Sequence, residues 1–461
     1  MRRILKKTIS LFLLFVLAVS LSGCADLIGL EAQSLMSPPK STADREAIYA
    51  LMRGEQTDVT LVFPKNGDYR SAIISRDLDG DGSLEVVSFC ANSDAGGIRI
   101  QFFSKDENKT WYSMAQFVTT ANQVDKVFFG DLTGDGHEEI VVGWGDPQTA
   151  TASISVYRIE ENTVQEFPMS VVSYNEMLLT DFDDDDVEEL FVLASVPVSE
   201  EENAVAVSLG ALYRFDGEKP YVAQTVPMDA AVTRYISASF AQVNSWQHTA
   251  VIDGIKADGR MVTQIIGYDA AGEMLVSYFS EPTAENPNPT DRATAVAVTA
   301  RDINGDGVTE IPTAELIVTP EEGAADSTAY VVTWNTYSLT DNTFTPVCRS
   351  VVNMSENYFI LLPDETDKIA CFNDSVTRTA TFSDYSRIDA LGQPAGRKAL
   401  FSVKVYTEEE WAARQEEDSG DDILLDSMAG RVYVLNVLSE SLSAESTLIR
   451  SVKEGFRILN E

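Results

Sequence analysis

Asp77-Leu-Asp-Gly-Asp-Gly-Ser-Leu-Glu85 decides the fold, because the chain repeats it. The same plan returns as Asp131-Leu-Thr-Gly-Asp-Gly-His-Glu-Glu139, Asp181-Phe-Asp-Asp-Asp-Asp-Val-Glu-Glu189 and Asp302-Ile-Asn-Gly-Asp-Gly-Val-Thr-Glu310. An apolar, β-prone run precedes each loop: Ala72–Ser75, Val127–Phe129, Met177–Leu179 and Thr294–Val298. Another follows each: Val86-Val87, Ile140–Val142, Leu190–Val192 and the weaker Ile311. Each loop therefore reads as the link between two strands.

The loops start 54, 50 and 121 residues apart. A worn copy sits midway along the long gap. Tyr235–Phe240 is its strand, Ala241 stands where the first aspartate belongs, and Ala250–Ile252 resumes the sheet. Further alternating runs complete each unit, such as Gly97–Phe103 and Trp111–Met114 in the first, Ile154–Tyr157 in the second, Ala211–Phe215 in the third and Tyr330–Trp334 in the fifth. Four short strands in about 50 residues make a propeller blade, since a lone blade cannot bury both faces and its neighbours can. The predicted fold is mainly β: a β-propeller of about five four-stranded blades, then a small α+β C-terminal domain. A parallel β-solenoid is the competing architecture, but its repeats are shorter. Val59–Phe63 is expected to add a closing strand to the last blade and so remove an exposed edge.

The expected segments are 1–23 (signal peptide), 24–57 (lipidated N-terminus, linker and short helix), 58–353 (propeller) and 354–461 (α+β domain). Arg2, Arg3, Lys6 and Lys7 followed by the apolar run Ile9–Leu21 form a secretory leader. The leader ends in Leu21-Ser22-Gly23-Cys24, which resembles the bacterial lipobox and implies a lipid on Cys24 as the membrane anchor. Gln33–Ala43, with Pro38-Pro39, reads as a spacer. In the tail, Thr407 and Glu410 form a capping box that opens a helix to about Glu416. Ser443 is expected to open a second helix, ending at Gly455.

The formal net charge is −38, and losing the leader's four cations takes it to −42. Such a surface repels nucleic acid and anionic membrane faces and suits cations. Three cysteines remain after Cys24, namely Cys90, Cys348 and Cys371; one pair at most can bridge, and the sequence does not choose it.

The loops carry the chemistry. Calcium takes six to eight hard oxygens in a flexible cage, and an oxygen at every second position of a curled loop supplies them. Positions 1, 3 and 5 are Asp77, Asp79 and Asp81; Asp131, Thr133 and Asp135; Asp181, Asp183 and Asp185; and Asp302, Asn304 and Asp306. Position 7 offers a backbone carbonyl from Ser83, His137, Val187 or Val308, and position 9 is Glu85, Glu139, Glu189 or Glu310. Asp184 and Asp186 replace both glycines of the third loop, so its curl costs more. An EF-hand needs an acid at position 12 and flanking helices; position 12 here is Ser88, Val142, Val192 or Thr313, and the flanks are strands. A dockerin module, which follows each loop with a helix, fails for the same reason.

The loops resemble the FG-GAP and VCBS repeats of integrin-type propellers, over roughly Asp58 to Val351. That resemblance implies calcium as the bound ion and an extracellular binding or adhesion role. The chain departs from the repeat in having Glu at the ninth position, in lacking Phe-Gly and Gly-Ala-Pro signatures, and in its bare fourth unit.

The expected function is a lipid-anchored, extracytoplasmic bacterial binding or scaffold module for a protein or glycan, without catalysis. Trp144, Trp246 and Tyr268 are the candidate contact aromatics. The alternative is a carbohydrate-active hydrolase or lyase on the same scaffold. Only His137 and His248 are present, and neither a Gly-x-Ser-x-Gly elbow nor a His-Glu-x-x-His motif occurs; paired carboxylates alone would have to serve. A third reading makes the propeller a platform for an active tail.

Overall fold

The structure is a computed structural model that describes residues 42–54, 59–92, 96–146, 151–160, 162–167, 169, 173–197, 206–217, 219–279, 287–318, 329–363, 369–384, 398–416 and 422–459. The signal peptide, Cys24 and nearly all of the proposed spacer lie outside the described residues. No helix among the described residues is long and apolar enough to cross a membrane. Two compact units divide the chain: residues up to 124 with 159–164, and residues 125–158 with 165–461.

The chain is mainly β, and its sheets follow one plan, an antiparallel meander. The first is β1 (Ile73–Arg76), β2 (Glu85–Ala91), β3 (Ile98–Lys105) and β4 (Trp111–Thr119). The second is β5 (Gln123–Gly130), β6 (Glu139–Asp146), β7 (Thr151–Glu160) and β8 (Thr163–Phe167). The third comprises β9 (Glu176–Thr180), β10 (Glu189–Pro197), β11 (Ala206–Asp216) and β12 (Lys219–Pro227). The worn unit is a full sheet too: β13 (Val232–Gln242), β14 (His248–Lys256), β15 (Met261–Asp269) and β16 (Met274–Tyr278). These are propeller blades, one per repeat. Their middle strands are buried almost throughout, as in β2, β14 and β15, while the outer β4 and β12 are half exposed. A strand buried on both faces needs a nearly continuous apolar run, and Val86-Val87 and Ala250–Ile252 begin such runs.

In the second unit, successive sheets pack face to face. Val141, Val156 and Phe167 of the second meet Met177, Leu190 and Val192 of the third and Tyr174 just before it. Phe191 and Leu212 of the third meet Ala250, Ile252 and Ile266 of the fourth. Gly143 in β6 permits the closeness, since a Cβ there would lie 2.3 Å from the Tyr174 hydroxyl and 2.5 Å from Met177 Cε. Replacing it with alanine forces both side chains to move.

The fifth sheet is β17 (Ile311–Val318), β18 (Ala329–Ser338), β19 (Thr343–Asn353) and β20 (Tyr358–Leu362), with the chain's last strand β26 (Phe456–Ile458) beside β20. The expected strand at Thr294–Val298 is not formed. Thr294–Val296 is a single 3-10 turn, and only Arg301 bridges to Glu310. Side chains take backbone groups at and just beyond the end of this segment: Arg292 Nε donates to the Val298 carbonyl (2.9 Å), and Ala300 N–H donates to Oδ2 of Asp253 in β14 (2.9 Å).

Val59–Phe63 also sits elsewhere than expected. The Val62 N–H donates to the Phe89 carbonyl and the Ala91 N–H to the Thr60 carbonyl, so the segment runs along β2 of the first sheet. It takes the edge left free where β1, which reaches only to Ser88, ends.

The tail mixes helix and strand. Its sheet, in spatial order, is β21 (Ile369–Asp374), β22 (Thr379–Asp384), β23 (Lys398–Thr407), β25 (Arg431–Val437) and β24 (Ile423–Met428). The boundary read at 354 falls between β19 and β20, yet β20 pairs with β19 from Arg349↔Leu362 to Asn353↔Tyr358. Tyr358, Ile360 and Leu362 then share a core with Phe382, Phe401, Val403 and Leu435 of the tail sheet. Helix α1 is Thr42–Arg53, α2 is Glu408–Glu416 and α3 is Thr447–Gly455. The capping box forms as expected: Thr407 N–H donates to Glu410 Oε2 (2.8 Å), and Glu410 N–H donates to Thr407 Oγ1 (3.2 Å). Helix α3 begins at Thr447, after Ser446, and not at Ser443. Ser443 instead accepts, at its carbonyl, both the N–H and the hydroxyl of Ser446, which makes a turn before the helix. Cys90, Cys348 and Cys371 are free thiols.

Candidate metal centre

All four loops share one internal frame. The second Oδ of the position-1 aspartate accepts the N–H five residues on, from Gly82 (3.1 Å), Gly136 (2.7 Å), Asp186 (2.9 Å) and Gly307 (2.9 Å). The position-9 glutamate reaches back to the N–H of position 2, in Leu78, Leu132, Phe182 and Ile303, at 2.9–3.0 Å. Position 5 accepts the N–H of position 7: Ser83, His137, Val187 and Val308. The apolar residue at position 2 anchors the loop in the core, and the glutamate beside it is equally buried.

Positions 4 and 6 take left-handed backbone, φ +70° and +85° for Gly80 and Gly82, and +63° and +68° for Asp184 and Asp186. A side chain pays for that conformation where glycine does not. Asp184→Gly is expected to stabilise the protein by about 0.5–1 kcal/mol, read as a raised urea midpoint; a lowered midpoint contradicts the strain account.

Carboxylate oxygens of Asp77, Asp79 and Glu85 lie within 4.8 Å of one another, as do those of Asp181, Asp183 and Glu189. The second and fourth loops have Thr133 and Asn304 in place of the middle acid. Asn304 Nδ2 donates to Asp306 Oδ2 (2.9 Å), and Thr133 Oγ1 donates to Glu139 Oε1 (3.3 Å). Burial first, then neighbouring aspartates, raises all four glutamates above the ordinary carboxylate range, Glu139 and Glu189 to about 7. Metal-free protein should therefore lose stability as pH rises from about 4.5 towards 7, because the unfolded chain ionises first while the fold favours the protonated acid. Chemical denaturation of metal-stripped protein at pH 5 and pH 8 measures this. Glu139→Gln should flatten the profile; an unchanged slope contradicts it.

Two buried oxygens have no hydrogen-bond partner in the first and fourth loops: Asp77 Oδ1 and Glu310 Oε1. An orphaned anionic oxygen in an oxygen-lined loop fits a hard cation such as calcium. Residues 51–142 match the FG-GAP-like repeat family. The matched span holds the first two loops, and the shared frame carries the repeat geometry to the third and fourth. Among solved structures, the chain is similar to the periplasmic gluconolactonase of Pseudomonas aeruginosa, at 11% identity and a TM-score of 0.30, over 74% of this chain and 94% of that one. No curated protein matches the chain.

Sequence reading missed several residues that serve these loops. Glu188, at position 8, receives the Asp131 N–H on Oε2 (2.8 Å), and its own N–H donates to the Asp131 carbonyl (2.9 Å), tying the third loop to the second. Arg158 and Arg214 enter the second and third loops from β7 and β11. They stand far along the chain from the loops, and only strand pairing reveals them. The candidate aromatics separate: Trp144 is core, Tyr268 packs half-buried against the third and fourth sheets, and Trp246 is 73% exposed. His248 opens β14, exposed and stacked on Phe240, and His137 is half-buried with its N–H donating to Asp135 Oδ1.

Proposed function

We propose that the chain is a membrane-anchored, extracytoplasmic lipoprotein whose FG-GAP-like loops bind calcium and whose blades present a surface that binds a protein or glycan. The observation that carries the calcium part is the pair of orphaned oxygens, Asp77 Oδ1 and Glu310 Oε1, inside loops that already curl around them. Calcium here sets the shape of the turn that leads into the first long strand of a blade. Anchoring rests on the lipobox-like Leu21-Ser22-Gly23-Cys24.

Trp246 supports the binding part. The fourth blade has lost its acidic loop, and its β13–β14 turn offers an exposed indole instead. The turn is rigid: Asn244 Oδ1 accepts the N–H groups of Trp246 (3.1 Å) and Gln247 (3.0 Å), while its Nδ2 donates to the Tyr337 carbonyl (2.6 Å). An exposed aromatic held at low entropic cost is the usual anchor of a contact surface. Screening the calcium-loaded protein on glycan arrays, and by pull-down from envelope extracts, tests this. A bound ligand lost in Trp246→Ala, with melting unchanged, supports it. Full retention of that ligand counts against Trp246 as the anchor.

A further inference from the structure

Strand pairing places one residue of the next strand opposite each position-9 glutamate. Val86 pairs with Phe103, Ile140 with Tyr157, Leu190 with Tyr213 and Ile311 with Asn335. One step along, Ser104, Arg158, Arg214 and Thr336 therefore face Glu85, Glu139, Glu189 and Glu310. The loops come in two kinds, hydroxyl-faced and arginine-faced.

In the second loop Arg158 Nη2 donates to Asp135 Oδ2, and its Nε lies 3.8 Å from Glu139 Oε1. In the third, Arg214 Nη2 donates to Asp183 Oδ2 and lies 2.7 Å from Glu189 Oε1. The guanidinium thus binds the acids on which a metal would sit, and it supplies the positive charge itself. In the first loop Ser104 Oγ donates to Glu85 Oε1 (3.1 Å); in the fourth, Thr336 Oγ1 turns to the Thr345 carbonyl (3.4 Å). Among the described residues no cation pairs with the acids of these two loops. The arginines just before them bond elsewhere, Arg76 to the Tyr69 hydroxyl and Arg301 to Thr299 Oγ1. The orphaned Asp77 Oδ1 and fully buried Glu310 Oε1 belong to these same two loops. The third loop keeps one orphan as well, Asp183 Oδ1, whose sister oxygen the arginine holds.

We propose that only the first and fourth loops take calcium, while Arg158 and Arg214 replace the ion in the second and third. The chain then carries two calcium ions and two internal guanidinium surrogates. This rests on the calcium reading of the loops and divides them by a residue outside every loop. A bound divalent ion and a guanidinium on the same carboxylates repel each other, so each loop takes one or the other.

Equilibrium dialysis of the full chain against radioactive calcium counts the ions. The expected count is two, falling to one in Asp77→Ala and in Asp302→Ala and staying at two in Asp131→Ala and Asp181→Ala. Ser104→Arg leaves every loop acid in place and should also lower the count to one, with circular dichroism confirming the fold. A wild-type count of one, three or four overturns the division but leaves the calcium reading standing. So does loss of an ion from Asp131→Ala or Asp181→Ala, or retention of both ions by folded Ser104→Arg. A count of zero overturns both.

Discussion

Arg292→Met is expected to lower the unfolding free energy by about 3–5 kcal/mol, because it leaves a buried carboxylate without its counter-charge. Arg292 is 0% exposed and its partner Asp253 1%, with Nη2 to Oδ1 at 2.9 Å. The arginine also donates to Thr263 Oγ1 (3.0 Å), to the Thr290 carbonyl (2.8 Å) and to the Val298 carbonyl (2.9 Å). Asp253 accepts further bonds from Ser237 (2.9 Å), Thr263 (2.6 Å) and the Ala300 N–H (2.9 Å). This network stands in the blade that has no acidic loop, and it fixes the segment leading into the fourth loop. Methionine fills the volume but strands Asp253 and two carbonyls. Adding Asp253→Leu should recover part of the loss, since removing both charges spares the unpaired one. Urea unfolding measures both effects. A loss below about 1 kcal/mol for the single variant would show that water or relaxation satisfies Asp253.

Asp77→Ala should destabilise the protein much more in calcium than in its absence. At a free ion concentration 100 times the dissociation constant, one site contributes about 2.7 kcal/mol, and the variant forfeits the first loop's share. In chelator the same change removes a buried oxygen that has no partner and relieves repulsion among Asp77, Asp79 and Glu85. The metal-free cost is then only the lost hydrogen bond to Gly82 N–H. Asp131→Ala is the matched comparison. Its loop is held by Arg158, so its cost should be equal with and without calcium. Melting curves of both variants in millimolar calcium and in chelator give the four numbers. Equal calcium dependence in the two variants would contradict the distinction between their loops.

The period of the acidic loops made the blades legible, and even the worn unit betrayed itself through Tyr235–Phe240 and Ala250–Ile252, which became β13 and β14. The loops' hydrogen-bonded frame was legible because a tight loop encodes its own geometry within nine residues. What escaped depended on distant partners. Thr294–Val298 has strand composition but no strand, and Arg292 and Asp253 take up backbone groups at and just beyond its end. Arg158 follows Glu139 by 19 residues and Arg214 follows Glu189 by 25, because the hairpins between them differ in length. Without the pairing of β6 with β7 and of β10 with β11, no common spacing joins them. Ser443 failed as a helix start for a local reason: its carbonyl closes a turn with both the N–H and the hydroxyl of Ser446, and the helix starts only after that turn.

The most direct measurement is an anomalous-scattering map from crystals grown in millimolar calcium. One strong peak is expected among Asp77, Asp79 and Glu85, a second beside Glu310, and guanidinium density without a peak at Asp135 and Asp183. Bare loops at Asp77 and Glu310 would contradict this assignment.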